Sequence, residues 1–194
     1  MNSCFGPYIP SQSSISSALT IRDIGRLEEI IAKRVTGYGP LVVLGEPNTL
    51  PWPGGAVRDF YVEGEWQAAV ISWIDRALLI SLVASSTPGL TWELKTVIDR
   101  GHLHKALLSL PGGPKQQERW AHICESFHGT TWHPAMVAAN TSKALAVHFG
   151  RDGSLTVIWS KEWSRSVSEV AIDVAIYGML CGDDRAALQL RYDV

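Results

Sequence analysis

One short segment, Thr87–Leu94, combines a carboxylate and an indole with the signals of a helix start. A threonine followed by a proline suits the cap and the first position of a helix, whose free backbone N–H groups favour an anion or a hydroxyl-rich ligand. Glu93 borders the apolar stripe of this helix, so its carboxylate could accept two ribose hydroxyls or stabilise an oxocarbenium-like transition state. We therefore take Glu93 as the candidate catalytic residue. The candidate ligand-binding residues of this segment are Thr87, Pro88, Gly89 and Trp92.

The same residue types have a plainer interpretation. An acidic residue in an early helical turn interacts favourably with the helix dipole, so Glu93 could serve the helix alone and Trp92 could simply cover the sheet edge. Glu46 is a second candidate carboxylate for ligand binding, although a loop acid beside a proline is usually only solvated. Trp52 lies outside the helical core stripes and can also line a site. Glu46 and Glu93 would act as a carboxylate pair only if the fold brings their segments together.

The other motifs give weaker signals. His102 and His104 have a metal-like spacing, but a histidine at a helix C-terminus suits the dipole and no third ligand is apparent. The glycine-rich segment Pro111–Lys115 lacks the GxxxxGK spacing of a phosphate loop and is typical of a turn. Neither GxSxG nor HExxH occurs. We therefore expect no metal and no other cofactor.

Length and composition favour one folded domain. The 194 residues are 46% hydrophobic and 19% charged, and 17 basic against 19 acidic residues give a formal charge of −2. Without a strongly basic balance, we expect no nucleic-acid partner. Three distant cysteines without a CxxC pair fit a reducing compartment. The longest apolar run, Ala77–Ala84, is too short to span a membrane and no signal peptide is apparent, so we expect a cytoplasmic location.

The periodicity of apolar residues predicts the elements that hold these candidates. We expect an extended arm over 1–18, a single α/β domain over 19–182 and a C-terminal tail over 183–194. The predicted strands are Leu41–Leu44, Ala77–Ala84 and Lys105–Leu110, with a long loop over Gly45–Gly64. The predicted helices run from Thr20 to just before Gly37, through Trp66–Ile74, over Pro88–Arg100, through Trp120–Phe127 and over Ser166–Leu180, the last with Val167, Val170, Ala171 and Val174 on one side.

Two further apolar stretches, Ala144–Phe149 and Ser154–Trp159, are separated by the turn signal Gly150–Gly153 and predict an antiparallel hairpin. The preceding alternation of strands and helices predicts a three-layer α/β domain with a mostly parallel, Rossmann/flavodoxin-like sheet and the hairpin at one edge. Ligands of such sheets bind beyond the carboxyl ends of the strands. The candidate residues after the first and second strands should therefore lie at one edge.

Several segments together resemble a group of largely uncharacterised bacterial proteins, common in actinobacteria, many of which attach the domain to membrane helices. The segments are Tyr38–Pro47, Glu65–Gln67, Thr87–Leu94 and His104–Lys105, and the likeness covers roughly Leu27–Leu180. More distantly, the strand, loop and helix with Glu93 are similar to the TIR and nucleoside 2-deoxyribosyltransferase class.

In that class a glutamate at a comparable place attacks or stabilises the ribosyl carbon. The resemblance therefore implies a TIR-like fold, a nucleotide or nucleoside ligand, and cleavage of an N-glycosidic bond in NAD or a nucleoside by Glu93. It also implies an alternative function, because many TIR-like domains are non-catalytic signalling or protein-interaction modules.

The usual first strand of the group is missing from this sequence. The prolines within Cys4–Pro10 do not support a central strand, which indicates either a truncated chain or a divergent member. Without that strand, Leu41–Leu44 and Ala77–Ala84 either pair directly, hold the arm between them or leave backbone groups unpaired. Unpaired backbone N–H and C=O groups lower the stability of the fold, and a strand edge that exposes them can pair with another chain. We therefore expect either a homodimer through this edge or marginal stability.

Overall fold

The computed structural model describes residues 21–45, 56–60, 65–113, 115–139, 143–162 and 164–181. Its helices are α1 (Ile21–Val35), α2 (Trp66–Arg76), α3 (Pro88–Asp99), α4 (Gln116–Glu125), α5 (His133–Ala138) and α6 (Arg165–Cys181). Its strands are β1 (Leu41–Gly45), β2 (Ala56–Phe60), β3 (Ile80–Val83), β4 (Ala106–Ser109), β5 (Ala144–Phe149) and β6 (Leu155–Trp159). A 3-10 turn, Leu103–Lys105, precedes β4. The predicted arm over 1–18 and tail over 183–194 lie outside the described residues.

The described strands form two sheets. β1 pairs in parallel with β2, and the larger sheet has the order β3-β4-β5-β6. Within it β3 and β4 are parallel, whereas β4, β5 and β6 are successively antiparallel, so the predicted hairpin is confirmed. The prediction of a mostly parallel sheet is wrong for the described residues, among which two of the four strand pairings are antiparallel. A fully buried strand is apolar along its length in either direction, so its composition does not reveal how it pairs.

The predicted long loop over Gly45–Gly64 is also corrected, because Ala56–Phe60 forms β2. Leu41 of β1 is in register with Ala56, and Gly45 with Phe60. This strand has two charged residues among its five and follows a stretch rich in glycine and proline, so its pattern is that of a loop. β2 is held as a strand by its pairing with β1, which its composition does not predict.

Helices cover both faces of the larger sheet. Side chains alternate along its strands, so Leu82 and Leu108 belong to a core beneath α2, α3 and α4, whereas Val83 and Leu107 belong to a core beneath α1 and α6. The predicted α/β class is therefore present, and the sheet between its helical layers is mixed. None of the described helices is both long enough and apolar enough to cross a lipid bilayer.

β1 shares both hydrophobic cores with β3 but does not pair with it within the described residues. Val42 packs into the core beneath α2 to α4, and Leu41 and Val43 pack into the core that contains Leu79 and Val83. Side chains of β1 thus reach both faces of the layer that β3 occupies, while the hydrogen bonds of β1 go to β2. The direct pairing considered from the sequence is not formed here.

The inner face of α6 differs from the prediction. Val170 is 43% exposed, whereas Ile172 and Ile176 are buried against α1 and the sheet. α6 has apolar residues around most of its circumference, so more than one stripe fits the helical period. The choice between these stripes is made by packing against α1, to which α6 is also joined by the ion pair of Arg34 with Asp173.

Gly178 lets α6 approach β5 closely. A Cβ placed on Gly178 would lie 3.1 Å from Nε2 and 3.3 Å from Cε1 of the buried His148. Replacing a helical glycine with alanine ordinarily stabilises a protein by about 0.5–1 kcal/mol. We expect Gly178→Ala to give no such gain and Gly178→Val to cost about 1–3 kcal/mol through overpacking. Chemical unfolding measures both values.

The matched control is Gly89→Ala, because nothing lies within 4 Å of a Cβ at Gly89. A full stabilisation by Gly178→Ala, equal to the gain expected of an uncrowded helical glycine, would show that His148 moves aside at no cost.

Candidate functional site

Glu93 is buried at the carboxyl edge of β3. The strand ends at Val83, and after a short turn α3 begins at Pro88 and carries Glu93 in its second turn. The side chain of Glu93 is only 3% exposed and shares the inner face of α3 with Leu90 and Leu94. Helical side chains lean towards the N-terminus of their helix, so the carboxyl group points back towards this edge.

The carboxyl group of Glu93 has no compensating partner in the part of the chain that the structure describes. No hydrogen bond or ion pair joins it to another described residue. Burial therefore raises its pKa well above the ordinary value of a glutamate, and the protonated form is favoured. A buried acid without a partner costs stability, and such groups are concentrated at functional sites.

This environment does not fit the plainer interpretation of Glu93. An acid that only serves the helix dipole lies in the first turn, near solvent, where the positive helix end favours its charged form. The first turn of α3 contains no acidic residue, and Glu93 is further along and buried. The helix start is instead stabilised by a different side chain.

That side chain is Thr87, the N-cap of α3, as predicted. Its hydroxyl accepts a hydrogen bond from the backbone N–H of Leu90 (3.4 Å) and lies 3.0 Å from Oγ of Ser85. Pro88 occupies the first turn, and the chain leaves the helix through Gly101 at φ +70°. The hydroxyl of Thr87 is therefore engaged in holding the turn. Of the other predicted binding residues, Pro88 is exposed and Gly89 borders open space.

An aromatic pair joins α2 to the residue that precedes Glu93 in α3. The rings of Trp92 and Trp66 have centroids 4.8 Å apart at an interplanar angle of 67°, and both are half-buried against the core. α2 runs towards the start of β3, so its first residue, Trp66, lies at the same edge as the start of α3. The helical stripe predicts that Trp66 is a core residue. Because Trp66 is the first residue of α2, it also lies at the carboxyl edge of the sheet.

His122 of α4 contacts the start of α3, although the sequence does not predict it as a site residue. Its Nε2 lies 3.0 Å from Oγ1 of Thr91, which also donates to the carbonyl oxygen of Thr87 (3.3 Å). The contact connects α4 to the first turns of α3. No local sequence signal identifies this contact, because Thr91 and His122 are 31 residues apart in the sequence.

The remaining candidates are separate from Glu93 or outside the description. His102 is bound to Asp75, which Arg100 also contacts, at the opposite edge of the sheet. The hydrogen bond from Arg100 is the main cause of a lowered pKa of Asp75. Among the residues described, no three His, Cys, Asp or Glu side chains form a group that could hold a metal ion. Glu46 and Trp52 lie outside the described residues.

Comparisons with known proteins add no relative. No protein-family model matches the chain, and neither the curated proteins nor the solved structures provide a significant match.

Proposed function

We propose that this domain has a TIR-like fold, binds a nucleotide or nucleoside, and cleaves the N-glycosidic bond of that ligand with Glu93. The observation that carries the proposal is the buried carboxyl group of Glu93, without a described partner, at the carboxyl edge of β3. Ligands of α/β sheets bind at this edge. The cost of burying an uncompensated acid is explained if the acid acts on a ligand.

The chemistry follows from the charge that develops when a glycosidic bond breaks. As the bond between C1′ and the base nitrogen lengthens, its electron pair leaves with the base and positive charge grows on the ribosyl ring. A carboxylate in a site of low polarity stabilises that charge far more strongly than one in water. Glu93 first loses its proton to solvent. As a carboxylate it can either attack C1′ to form an ester that water then hydrolyses, or stabilise the oxocarbenium ion until water adds to C1′ and gives its proton to the departed base or to solvent.

A ligand with a positively charged base would itself favour that loss of the proton. Burial raises the pKa of the Glu93 carboxyl group and so favours its neutral form, whereas a cation placed beside it lowers the pKa again. The half-buried rings of Trp66 and Trp92 offer an apolar wall against which a planar base can lie. These two features support an N-glycoside of an aromatic base as the substrate.

The test is the release of free base. Wild-type protein is incubated with NAD and, separately, with purine and pyrimidine nucleosides, and the released base is measured by chromatography. We expect release that Glu93→Gln lowers by about 100-fold or more, the usual effect of removing a group that stabilises transition-state charge. Glu125→Gln, an exposed position on α4, is the matched control and should keep full activity.

No release by the wild type from any of these substrates, or equal release by Glu93→Gln, would contradict the proposal. A folded, inactive wild type would leave the non-catalytic signalling or interaction module as the function to pursue.

A further inference from the structure

α6 has a second apolar stripe, here called the outer stripe, besides the face that packs against α1 and the sheet. It consists of Val167, Val170, Val174 and Tyr177, which are three, four and three positions apart along the helix. Val170 and Tyr177 are 43% and 52% exposed, and the two other valines are half-buried. None of the four belongs to either core of the described chain. The described chain thus leaves an apolar line along this helix partly exposed to solvent.

The spacing of the outer stripe is that of a coiled-coil seam. Apolar residues that alternate three and four positions apart stay on one line of a helix and pack against the same pattern on a second helix. A helix that is apolar on all sides is ordinarily covered on all sides. The small residues Ala171 and Gly178 follow one flank of the stripe, so they do not obstruct an approaching helix. The outer stripe is therefore suited to contact with another helix.

The charges of α6 do not favour a lipid surface as the partner of this stripe. Helices that lie on membranes have several Lys or Arg residues beside their apolar face. Arg165 is the single basic residue of α6, and it forms an ion pair with Glu169. Asp173, which flanks the stripe, is already paired with Arg34 of α1. The outer stripe is thus bordered by compensated charges and suits a partner that is itself apolar.

We propose that the outer stripe binds the outer stripe of a second copy of the chain, with the two α6 helices antiparallel. If the two-fold axis is level with Ile172, Val170 of one copy lies opposite Val174 of the other, since each is two residues from the axis. Val167 lies opposite Tyr177, since each is five residues from it. Every layer then contains a valine, whereas a parallel pair would place two tyrosine rings in one layer. The stripe is therefore complementary to itself, as a symmetric dimer requires.

This interface differs from the strand edge at which a homodimer is expected from the sequence. α6 packs on β4, β5 and β6, whereas that edge belongs to β1 and β3. The inference also does not depend on the proposed function, because Glu93 lies on α3 and packs against the other face of the sheet. Four layers of side chains make a small interface, so we expect a dissociation constant of about 10–100 µM.

Sedimentation velocity at protein concentrations from about 2 to 500 µM measures this association. We expect the wild type to change from monomer to dimer over this range. Val170→Lys and Val174→Glu should each weaken the dimer by at least about tenfold, because each places two charges against apolar side chains. The matched control is Val137→Lys on α5, a valine that is 61% exposed and outside the stripe. It should associate like the wild type.

A mixture of the two charged variants tests both the partner and its direction. In a mixed antiparallel dimer the introduced lysine of one copy faces the introduced glutamate of the other, and the remaining Val170 faces the remaining Val174. We expect the mixture to associate at least about tenfold more tightly than either variant alone. No gain on mixing two folded variants would overturn the antiparallel pair.

Two results with fewer variants would also overturn the inference. One is a wild type that stays monomeric at about 500 µM, above the expected dissociation constant. The other is a folded Val170→Lys that dimerises as tightly as Val137→Lys, which would place the contact elsewhere on the molecule. Circular dichroism establishes that each variant is folded. If Val174→Glu does not fold, the comparison of Val170→Lys with Val137→Lys decides alone, since both positions are exposed.

Discussion

Replacing Glu93 with glutamine should make the protein more stable at pH 8, although most changes of a buried residue do the opposite. The folded state favours the protonated carboxyl group, because burial raises its pKa without a described partner to compensate. The unfolded chain has an ordinary glutamate that is ionised at pH 8, so folding must take up a proton. Glutamine has a similar shape and no charge, and it removes that cost.

The sign of the pH dependence follows from the direction of the shift. The folded-state pKa is raised, so wild-type stability should fall as pH rises from the unfolded value towards the folded one, by about 1.4 kcal/mol for each unit. At pH 4 both states are largely protonated and the variant should match the wild type. At pH 8 we expect Glu93→Gln to be more stable than the wild type by at least about 1 kcal/mol, or about 2–4 °C in Tm.

Unfolding by urea between pH 4 and pH 8 measures this difference, and Glu125→Gln, at an exposed position, should show none of it. A variant that is less stable than the wild type at pH 8 would show that the carboxylate is compensated. Together with a loss of base release, a gain in stability would identify Glu93 as a residue kept for activity at the expense of folding.

The sequence predicts the local part of this site well. Thr87 and Pro88 start α3 as expected because capping depends only on groups within one turn. The burial of Glu93 could not be predicted in the same way, since it depends on the packing of α2 and the sheet against α3. Trp66 illustrates the difference: its spacing indicates a core position, and only the direction of α2 places it at the edge beside Trp92.

The same distinction applies to the fold. The hairpin of β5 and β6 is predicted correctly because a glycine turn joins neighbouring strands, and Gly153 adopts φ +85° in that turn. The antiparallel pairing of β4 with β5 is not predicted, because apolar residues such as Leu107 and Leu108 suit a buried strand in either a parallel or an antiparallel pairing. Likewise, β2 is recognised only through its partner β1, since Arg58 and Asp59 interrupt its apolar pattern.

Amide hydrogens of β1 should exchange with solvent at least about 100-fold faster than those of β4, a difference of about 2.7 kcal/mol in opening free energy. β4 is hydrogen-bonded to β3 on one side and to β5 on the other, so it opens only with the whole sheet. In the described chain β1 is hydrogen-bonded to β2 alone and shares its hydrophobic cores with β3 without pairing with it. Hydrogen exchange followed by mass spectrometry or NMR measures the two rates.

Protection of Leu41–Leu44 equal to that of β4 in a monomer would contradict this prediction and the sequence-based expectation of an unfilled edge. If a second copy pairs with the edge, as the homodimer proposal requires, the protection of β1 should instead rise with protein concentration. Sedimentation at micromolar concentration separates these cases.

The contact between Trp66 and Trp92 also has an optical consequence. Two indoles with centroids 4.8 Å apart are close enough for their electronic transitions to couple, and their crossed orientation makes that coupling visible in circular dichroism. The domain therefore carries an intrinsic, label-free reporter between the start of α2 and the helix that contains Glu93.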